Sequence, residues 1–211
     1  MTKSNSAIKT IIFDLGGVLI DWNPEYLFLD VFNNDREKTN WFLNNICTSH
    51  WNECQDAGRT IREGTLEKIN QFPEYKTQIE LYYNEWEKML GGEIKESVEI
   101  LKKLLDKMEF QIVALTNWSA ETFPIALKRF EFLSWFEDIL VSGKEKTRKP
   151  FPEIYEMAIK RFGLIPEKSI FIDDNYRNIL AAQNMGIKGI HFTSASELKK
   201  QLREFNIIIH D

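Results

Sequence analysis

The chain has 211 residues, of which 43% are hydrophobic and 28% are charged, and its net charge is −5 at pH 7. This size predicts one domain with an insertion, or two small domains. Lysine and arginine are interspersed among the acids without a basic block, which argues against nucleic-acid binding. No apolar run reaches the roughly 18 residues that span a bilayer, and residues 1–9 lack the apolar segment of a signal peptide. We therefore expect a cytoplasmic protein that binds neither nucleic acid nor membranes; its oligomeric state is not predicted.

The cysteines and histidines form no pattern typical of a redox or zinc site. Cys47 and Cys54 are spaced neither as a Cys-x-x-Cys pair nor as half of a zinc motif. A reduced pair, as is usual in the cytoplasm, is expected. The three histidines are scattered without metal-ligand spacing.

The first predicted element is a buried strand that ends at a carboxylate. Thr10–Phe13 is an uncharged run, Asp14 follows it, and Gly16 and Gly17 come soon after. An apolar run that stops at turn residues is typical of a buried strand. The glycines permit a sharp turn and the close approach of a ligand. Taken alone, Asp14 is better explained as a cap of this turn, and only the rest of the chain changes that interpretation.

Residues 21–91 are polar and aromatic, and they predict helices. Helical fragments are expected over 25–32, 36–45, 65–72 and 77–90. Gly91-Gly92 is expected to end the last helix and to act as a hinge. Four tryptophans fall here: Trp22, Trp41, Trp51 and Trp86. We interpret them as packing residues of this segment, or of its contact with the rest of the chain, in preference to substrate contacts.

After residue 92 the predicted strands alternate with helices. The expected strands lie at 111–115, 139–141, 169–172 and 189–192, and the expected helices at 98–108, 120–129, 150–162, 177–185 and 197–205. Ser97 and Ser196 are the expected N-caps of the first and last of these helices. The alternation predicts an α/β fold, a Rossmann-like parallel sheet with helices on both faces. Residues 1–20 and 92–211 would form this core, and residues 21–91 a small inserted helical cap.

Four predicted strand ends carry polar groups that suit a metal and an anion. They are Asp14, Thr116-Asn117, Lys149 and Asp173-Asp174. In a parallel sheet these ends converge on one edge. Clustered carboxylates repel one another unless a cation lies among them, and oxygen-only ligands at an open site suit Mg²⁺. An ammonium and a hydroxyl can hold an anion against that metal, so phosphoryl transfer to a carboxylate is the expected chemistry.

The four motifs together carry a family resemblance. In chain order they are Phe13-Asp14-Leu15-Gly16-Gly17-Val18, Leu115-Thr116-Asn117, Lys149-Pro150 and Phe171-Ile172-Asp173-Asp174-Asn175. Over about residues 8–20 and 92–205 the chain resembles haloacid dehalogenase (HAD) superfamily hydrolases with a small helical cap. Each motif alone is weak, but four in order at strand ends are specific. The resemblance implies a phosphoric monoester hydrolase that uses Mg²⁺ and acts on a small phosphate ester.

The resemblance also implies a role for each site residue. Asp14 would be the nucleophile and form an aspartyl-phosphate; a carboxylate of pKa about 3.9 is ionised at neutral pH and needs no base. Thr116 and the Asn117 backbone would hold the phosphate oxygens, and Lys149 would neutralise their charge. The implied Mg²⁺ ligands are Asp14, the Gly16 carbonyl and Asp174, with Asp173 acting directly or through water.

Gly16 departs from the usual family pattern. HAD phosphatases usually carry a second aspartate there, which protonates the leaving group and then activates water, and such catalysis is typically worth about 10²–10⁴-fold. A metal contact through the backbone carbonyl survives the change, whereas the acid–base step does not. The Asp-Leu-Gly pattern resembles that of sugar-1-phosphate phosphatases, including bacterial α-D-glucose-1-phosphate phosphatases.

Four residues of the predicted cap are considered for roles in the site. Asp21 and Asp56 are considered as substitutes for the missing carboxylate, although a hinge or helix-capping role is preferred for Asp21. Arg59, in the polar loop 56–59, is either a ligand for a second anionic group or a solvated surface residue. His50 is expected to be an ordinary surface or packing histidine.

Two further functions stay open at this point. A haloacid dehalogenase would use Asp14 as nucleophile without a metal, and such enzymes also lack the second aspartate. The adjacent acids Asp173-Asp174 argue against it, because a metal-free site would leave them repelling each other. A non-catalytic phospho-ligand binding protein would have lost turnover together with the second aspartate.

Overall fold

The computed structural model describes residues 7–210. Its strands in chain order are β1 (Thr10–Phe13), β2 (Ile20–Trp22), β3 (Leu90–Glu93), β4 (Gln111–Thr116), β5 (Ile139–Val141), β6 (Ser169–Asp173) and β7 (Lys188–His191). Five of them form one parallel sheet in the order β5-β4-β1-β6-β7, and β2 and β3 form a separate antiparallel pair. The predicted parallel α/β sheet is therefore confirmed.

The helices belong to two groups: some lie between β2 and β3 in the chain, and the others follow β3 and alternate with the strands of the sheet. Between β2 and β3 lie α1 (Glu25–Val31), α2 (Arg36–Asn45), α3 (Ser49–Asp56), α4 (Ile61–Gln71) and α5 (Lys76–Asn84). After β3 come α6 (Lys95–Asp106), α7 (Phe123–Arg129), α8 (Ser142–Glu145), α9 (Pro152–Phe162), α10 (Tyr176–Asn184) and α11 (Ala195–Glu204). Short 3₁₀ helices occupy Pro73–Tyr75, Trp86–Met89, Glu131–Trp135 and Pro166–Lys168. No helix within residues 7–210 has the length and apolarity required to cross a membrane.

The central strand β1 is buried on both faces. Ile11 and Phe13 pack into one hydrophobic cluster, and Ile12 packs into the other. Successive side chains of a strand point to opposite faces, and a parallel sheet is covered on both. Ile12 lies opposite Val113 of β4 and Phe171 of β6. The residues that directly follow β1 therefore lie at the middle of the sheet's carboxyl edge.

The strand pair β2–β3 corrects the prediction for Gly91-Gly92. These glycines lie inside β3, where Gly92 pairs with Asp21 of β2, and they do not end a helix. A Cβ on Gly91 would collide with the Asp21 carboxylate, and Gly92 has φ 135°, so both positions require glycine. Two adjacent glycines lack the β-branched signature of a strand, and the pairing partner lies about 70 residues away, so the sequence does not reveal the pair.

Helix α3 is absent from the predicted elements. Its N-cap is Thr48, whose hydroxyl accepts a hydrogen bond from the Trp51 backbone N–H at 3.1 Å. Helix α4 begins at Ile61, four residues before the expected start, because Thr60 and Glu63 form a reciprocal capping box. The expected helix 77–90 is instead α5 followed by a 3₁₀ helix.

The two predicted serine caps are wrong, by three residues for Ser97 and by two residues for Ser196. Helix α6 begins at Lys95, so Ser97 is a buried residue within it. Helix α11 is capped by Ser194 in place of Ser196, and the Ser194 hydroxyl accepts from the Glu197 backbone N–H at 3.2 Å. A cap needs an extended backbone immediately before the helix, and the residue type alone does not specify which serine adopts it.

The helical segment between β2 and β3 has an aromatic interior. Phe28 and Phe42 are both fully buried, with ring centroids 4.8 Å apart. Trp51 is buried and donates from Nε1 to the Gly64 carbonyl at 3.0 Å. Trp41 contradicts the packing interpretation, because it is 45% exposed. Both cysteines are free thiols in the described structure.

Candidate active site

Asp14 lies at the carboxyl edge of the sheet, directly after β1. Its backbone N–H donates to the Ile172 carbonyl at 2.8 Å, and its Oδ1 accepts from the Leu15 backbone N–H at 2.7 Å. The residue is only 7% exposed. Burial raises the pKa of Asp14 well above its usual value, and the Lys149 ammonium opposes this while the Asp173 carboxylate adds to it. Asp14 therefore depends on a nearby cation to remain a carboxylate.

Lys149 is completely buried and joins two of the carboxylates. Its Nζ lies 2.9 Å from Asp14 Oδ1 and 2.6 Å from Asp173 Oδ2. Nζ also donates to the Leu115 carbonyl at 3.0 Å. Burial works against the ammonium, but the two carboxylates outweigh it and raise the pKa of Lys149 above its usual value. Lys149 therefore holds a fixed positive charge beside the Asp14 oxygen.

The loop that carries Lys149 is held by neighbouring side chains. Asn117 donates from Nδ2 to the Lys149 carbonyl at 3.0 Å and accepts the Lys149 backbone N–H on Oδ1 at 2.8 Å. Arg148 donates to the same carbonyl at 2.9 Å and forms an ion pair with Glu53 of α3 at 2.8 Å. Thr116, the last residue of β4, is buried at the same edge. The Asn117 side chain thus positions Lys149, a contact that the sequence does not predict.

Asp173 is the last residue of β6 and is fully buried. Its Oδ1 accepts from the Asn175 backbone N–H at 2.7 Å. The Asn178 side-chain amide lies 3.0 Å from Oδ1 and 3.1 Å from Oδ2. With Lys149 also on Oδ2, both oxygens already accept hydrogen bonds from the protein.

The three acids of this edge have a geometry that suits a divalent cation. One oxygen each of Asp14, Asp173 and Asp174 lies within 4.8 Å of the others. Asp174 is exposed, and its pKa is raised by partial desolvation and by the neighbouring Asp173. Gly17, with φ 73°, permits this packing because a Cβ there would collide with the Asp174 carboxylate. Three carboxylates around one ammonium leave an excess of negative charge, and their hard oxygens fit Mg²⁺.

A cavity of about 80 Å³ lies between this edge and the helical segment. Its lining residues are Gly16, Trp22, Asn52, Asp56, Tyr83, Trp86, Asn117, Trp118, Ser119 and Thr122. A Cβ placed on Gly16 would meet no described atom within 4 Å, so this position faces open space. Among residues 7–210, the buried indole N–H groups of Trp22 and Trp118 have no hydrogen-bond partner. Buried donors of this kind are normally satisfied, so these two groups are exceptions among the buried polar atoms.

Some lining residues were missed by the sequence analysis. Trp118, Ser119 and Thr122 were not singled out, although all three follow the polar end of β4 within six residues, where parallel sheets bind ligands. Trp22 and Trp86 were interpreted as packing residues, and they also line the cavity. The ring centroids of Trp86 and Trp118 are 5.3 Å apart.

Asp21 and Arg59, two further residues of the predicted cap, do not line the cavity. Asp21 accepts a hydrogen bond from the Tyr26 hydroxyl at 2.7 Å and is not among the described residues that line the cavity. Arg59 donates to Gln55 Oε1 at 2.6 Å and pairs with Glu67. Arg59 is therefore part of the internal packing of the segment, which neither of the two predicted roles anticipates.

His50 lies on α3 and is exposed, as expected from the sequence. It is not among the described residues that line the cavity.

Replacing Lys149 should destabilise the protein strongly. Lys149→Met leaves Asp14 and Asp173 buried without their shared cation, and we expect the free energy of unfolding to fall by about 3–5 kcal/mol. Urea unfolding monitored by circular dichroism measures this change. Lys102→Met, at an exposed position of α6, is the matched control. Adding Asp173→Asn to Lys149→Met should recover part of the loss, and a single variant within about 1 kcal/mol of wild type would contradict the pairing.

Comparison with known proteins gives the family. Residues 11–192 match the family model of haloacid dehalogenase-like hydrolases. The sesquiterpene phosphatase astK of Aspergillus oryzae is 27% identical over 208 residues, which cover 94% of this chain and 97% of that protein. The pyrophosphatase PpaX of Bacillus velezensis is 24% identical and covers 98% of this chain and 97% of that protein.

A solved structure extends this likeness to the fold. A wild-type HAD family enzyme from Bacteroides thetaiotaomicron, in complex with magnesium and inorganic phosphate, has a TM-score of 0.64 to this chain. It is 26% identical and covers 89% of this chain and 95% of that one. The family model spans most of the residues of the chain. The chain therefore belongs to the haloacid dehalogenase-like hydrolase family.

Proposed function

We propose that this protein is a Mg²⁺-dependent phosphatase that hydrolyses a small phosphomonoester through an aspartyl-phosphate on Asp14. The observation that carries the proposal is the buried Asp14 carboxylate, 2.9 Å from the Lys149 ammonium and beside two further carboxylates. A nucleophile, a cation site and a fixed positive charge are what phosphoryl transfer requires. The two phosphatases among its relatives, and the magnesium and phosphate bound by the Bacteroides enzyme, support it.

The residues at the sheet edge have these roles in the proposal. Asp14 attacks phosphorus, the Thr116 hydroxyl and the Asn117 backbone N–H hold phosphate oxygens, and Lys149 neutralises their charge. Asp14, the Gly16 carbonyl and Asp174 are the direct Mg²⁺ ligands. Asp173 acts through water, because both of its oxygens already accept hydrogen bonds. Bound Mg²⁺ supplies charge neutralisation and fixes the direction of approach.

We further propose that residues 21–91 form a cap over a core made of residues 1–20 and 92–211, of which residues 1–6 and 211 lie outside the described structure. The chain enters and leaves this segment through the paired strands β2 and β3. Glu53 of α3 ties the segment to the sheet edge through Arg148 at 2.8 Å and Arg177 at 2.9 Å. A cavity of about 80 Å³ holds roughly five to eight water molecules. Such a site admits only a small leaving group.

A sugar phosphate is the substrate class that the cavity lining favours. Trp22, Trp86 and Trp118 offer apolar ring surfaces to the cavity. Asn52 and Asp56 add polar groups at the same cavity. Apolar walls with a few placed polar groups suit a ligand that has C–H faces and several hydroxyls.

The alternative functions fit the site less well. A metal-free haloacid dehalogenase would leave three carboxylates within 4.8 Å of one another with one ammonium among them. A non-catalytic binding protein would have no use for a carboxylate nucleophile held on a buried lysine. Each alternative nevertheless predicts a distinct result in a turnover assay.

A panel of small sugar, nucleotide and cofactor phosphates tests the proposal. With Mg²⁺ present, we expect phosphate release that is fastest with a small sugar phosphate and at least about 10-fold slower with a phosphopeptide, which is too large for the small cavity. No halide should be released from 2-chloropropionate. Halide release would identify the dehalogenase reaction. Binding of phosphate esters without turnover of any of them would identify the non-catalytic alternative.

A further inference from the structure

Asp56 is a carboxyl group in the cavity that the roles above leave unused. It is the last residue of α3 and lines the same cavity as Gly16. Its Oδ2 accepts from Asn52 Nδ2 at 3.1 Å. Its backbone carbonyl accepts from Ser142 Oγ at 2.6 Å, and that Oγ accepts from the Trp118 backbone N–H at 2.9 Å. The end of α3 is thereby fixed to the loop after β4, where the phosphate ester would lie.

Asp56 is also suited to exchange a proton near neutral pH. Burial, reinforced by the Glu53 carboxylate, raises the pKa of Asp56 to about 7. The charged or titratable groups that face it are Glu53 on its own helix, Arg148 and Lys149 before α9, and Tyr82 and Tyr83 on α5. Among the described cavity-lining residues, Tyr83 is the other titratable group, and burial raises its pKa beyond any neutral exchange.

We propose that Asp56 is the catalytic acid and base of this site, an inference that rests on the phosphatase function proposed above. An Asp14 oxygen bonds to phosphorus, the bond from phosphorus to the leaving oxygen breaks, and the Asp56 carboxyl gives its proton to that oxygen. A water oxygen then bonds to phosphorus, its proton passes to the Asp56 carboxylate, and the phosphorus–Asp14 bond breaks. An alcohol and phosphate are released, and both aspartates return to their starting states.

Gly16 is the reason that the acid must come from across the cavity. Gly16 has no side chain, and the space beside it is open, so no carboxyl group reaches the leaving oxygen from the strand end itself. Asp56 supplies one from α3. An acid of pKa near the working pH serves both steps, since it is protonated in a useful fraction and still gives up its proton readily.

Asp56→Asn tests the assignment with little structural change. The amide keeps the size of the side chain and an oxygen that accepts from Asn52. We expect kcat for an alkyl phosphate to fall about 10²–10⁴-fold. Single-turnover transfer from p-nitrophenyl phosphate should fall less than about 10-fold, because that leaving group departs without a proton. Asp30→Asn, at an exposed position of α1, is the matched control and should match wild type.

Two further readouts separate proton transfer from packing. In wild type, kcat/KM for the alkyl phosphate should fall as pH rises above about 7, the raised pKa of Asp56, and Asp56→Asn should lose this limb. In the Asp56→Asn background we add Gly16→Asp, because a side chain at this position has open space. The double variant should turn over the alkyl phosphate at least about 10-fold faster than Asp56→Asn alone. Wild-type rates in Asp56→Asn, or equal losses with both substrates, would overturn the assignment. A wild-type protein that hydrolyses no phosphate ester would instead contradict the function on which it rests.

Discussion

Asp14→Asn should abolish phosphate release while the protein stays folded. The amide is nearly isosteric with the carboxylate but is not a nucleophile, so we expect turnover to fall by about 10⁴-fold or more. Lys149 keeps its contact with Asp173 at 2.6 Å, so the variant does not leave a buried charge without a partner. The loss should therefore appear in the chemistry and not in the thermal unfolding of the protein.

The raised pKa of Asp14 gives this variant a distinct pH signature in chelator. A raised folded-state pKa means that the folded protein binds the proton more tightly than the unfolded chain. The contribution of Asp14 to stability is therefore highest below its ordinary pKa of about 3.9 and declines as pH rises toward the folded-state value. Asp14→Asn removes this decline, so its free energy of unfolding should equal or exceed that of wild type at neutral pH.

Phosphate release and thermal unfolding, measured on the same preparations, test both expectations. Asp106→Asn, at an exposed position of α6, is the control for loss of one aspartate. Turnover in Asp14→Asn above about 1% of wild type would contradict a covalent role for Asp14. A large fall in unfolding temperature would contradict the pairing of Lys149 with Asp173.

Excess chelator should abolish turnover, and added Mg²⁺ should restore it. The physical reason is the cluster of three carboxylates, with oxygen atoms within 4.8 Å of one another, that a single ammonium does not neutralise. Because the ion binds the folded state, it should also stabilise the protein, by about 2.7 kcal/mol at 100 times its dissociation constant. Activity and unfolding temperature measured against Mg²⁺ concentration give two independent readouts.

Asp174→Asn should raise the Mg²⁺ concentration for half-maximal activity by at least about 10-fold, because it removes an exposed oxygen ligand without touching Lys149. Glu99→Gln, at an exposed position of α6, controls for the loss of one negative charge. Full activity in chelator would contradict the metal role and return the metal-free dehalogenase reaction to consideration.

The predictable part of the site depends on rules that act along the chain. Short apolar runs ended by Asp14, by Thr116 and by Asp173 predict buried strands, and parallel strands bring their carboxyl ends to one edge. The acidic edge was therefore expected without any knowledge of distances. Elements without this periodicity are not predicted correctly: no element is predicted over α3, and Gly91-Gly92 is predicted to end a helix although it lies in a strand.

By itself the sequence determined the α/β sheet, the family and the set of polar groups at the sheet edge, because periodicity and short motifs are local properties. Tertiary structure alone decided that Asn117 holds the Lys149 loop, that Trp118 and Trp22 line one cavity, and that Asp56 is buried beside it. The physical reason is that burial, pKa and hydrogen-bond satisfaction depend on groups brought together from distant parts of the chain. Asp56 and Ser142, 86 residues apart, are joined by a 2.6 Å hydrogen bond that no local pattern encodes.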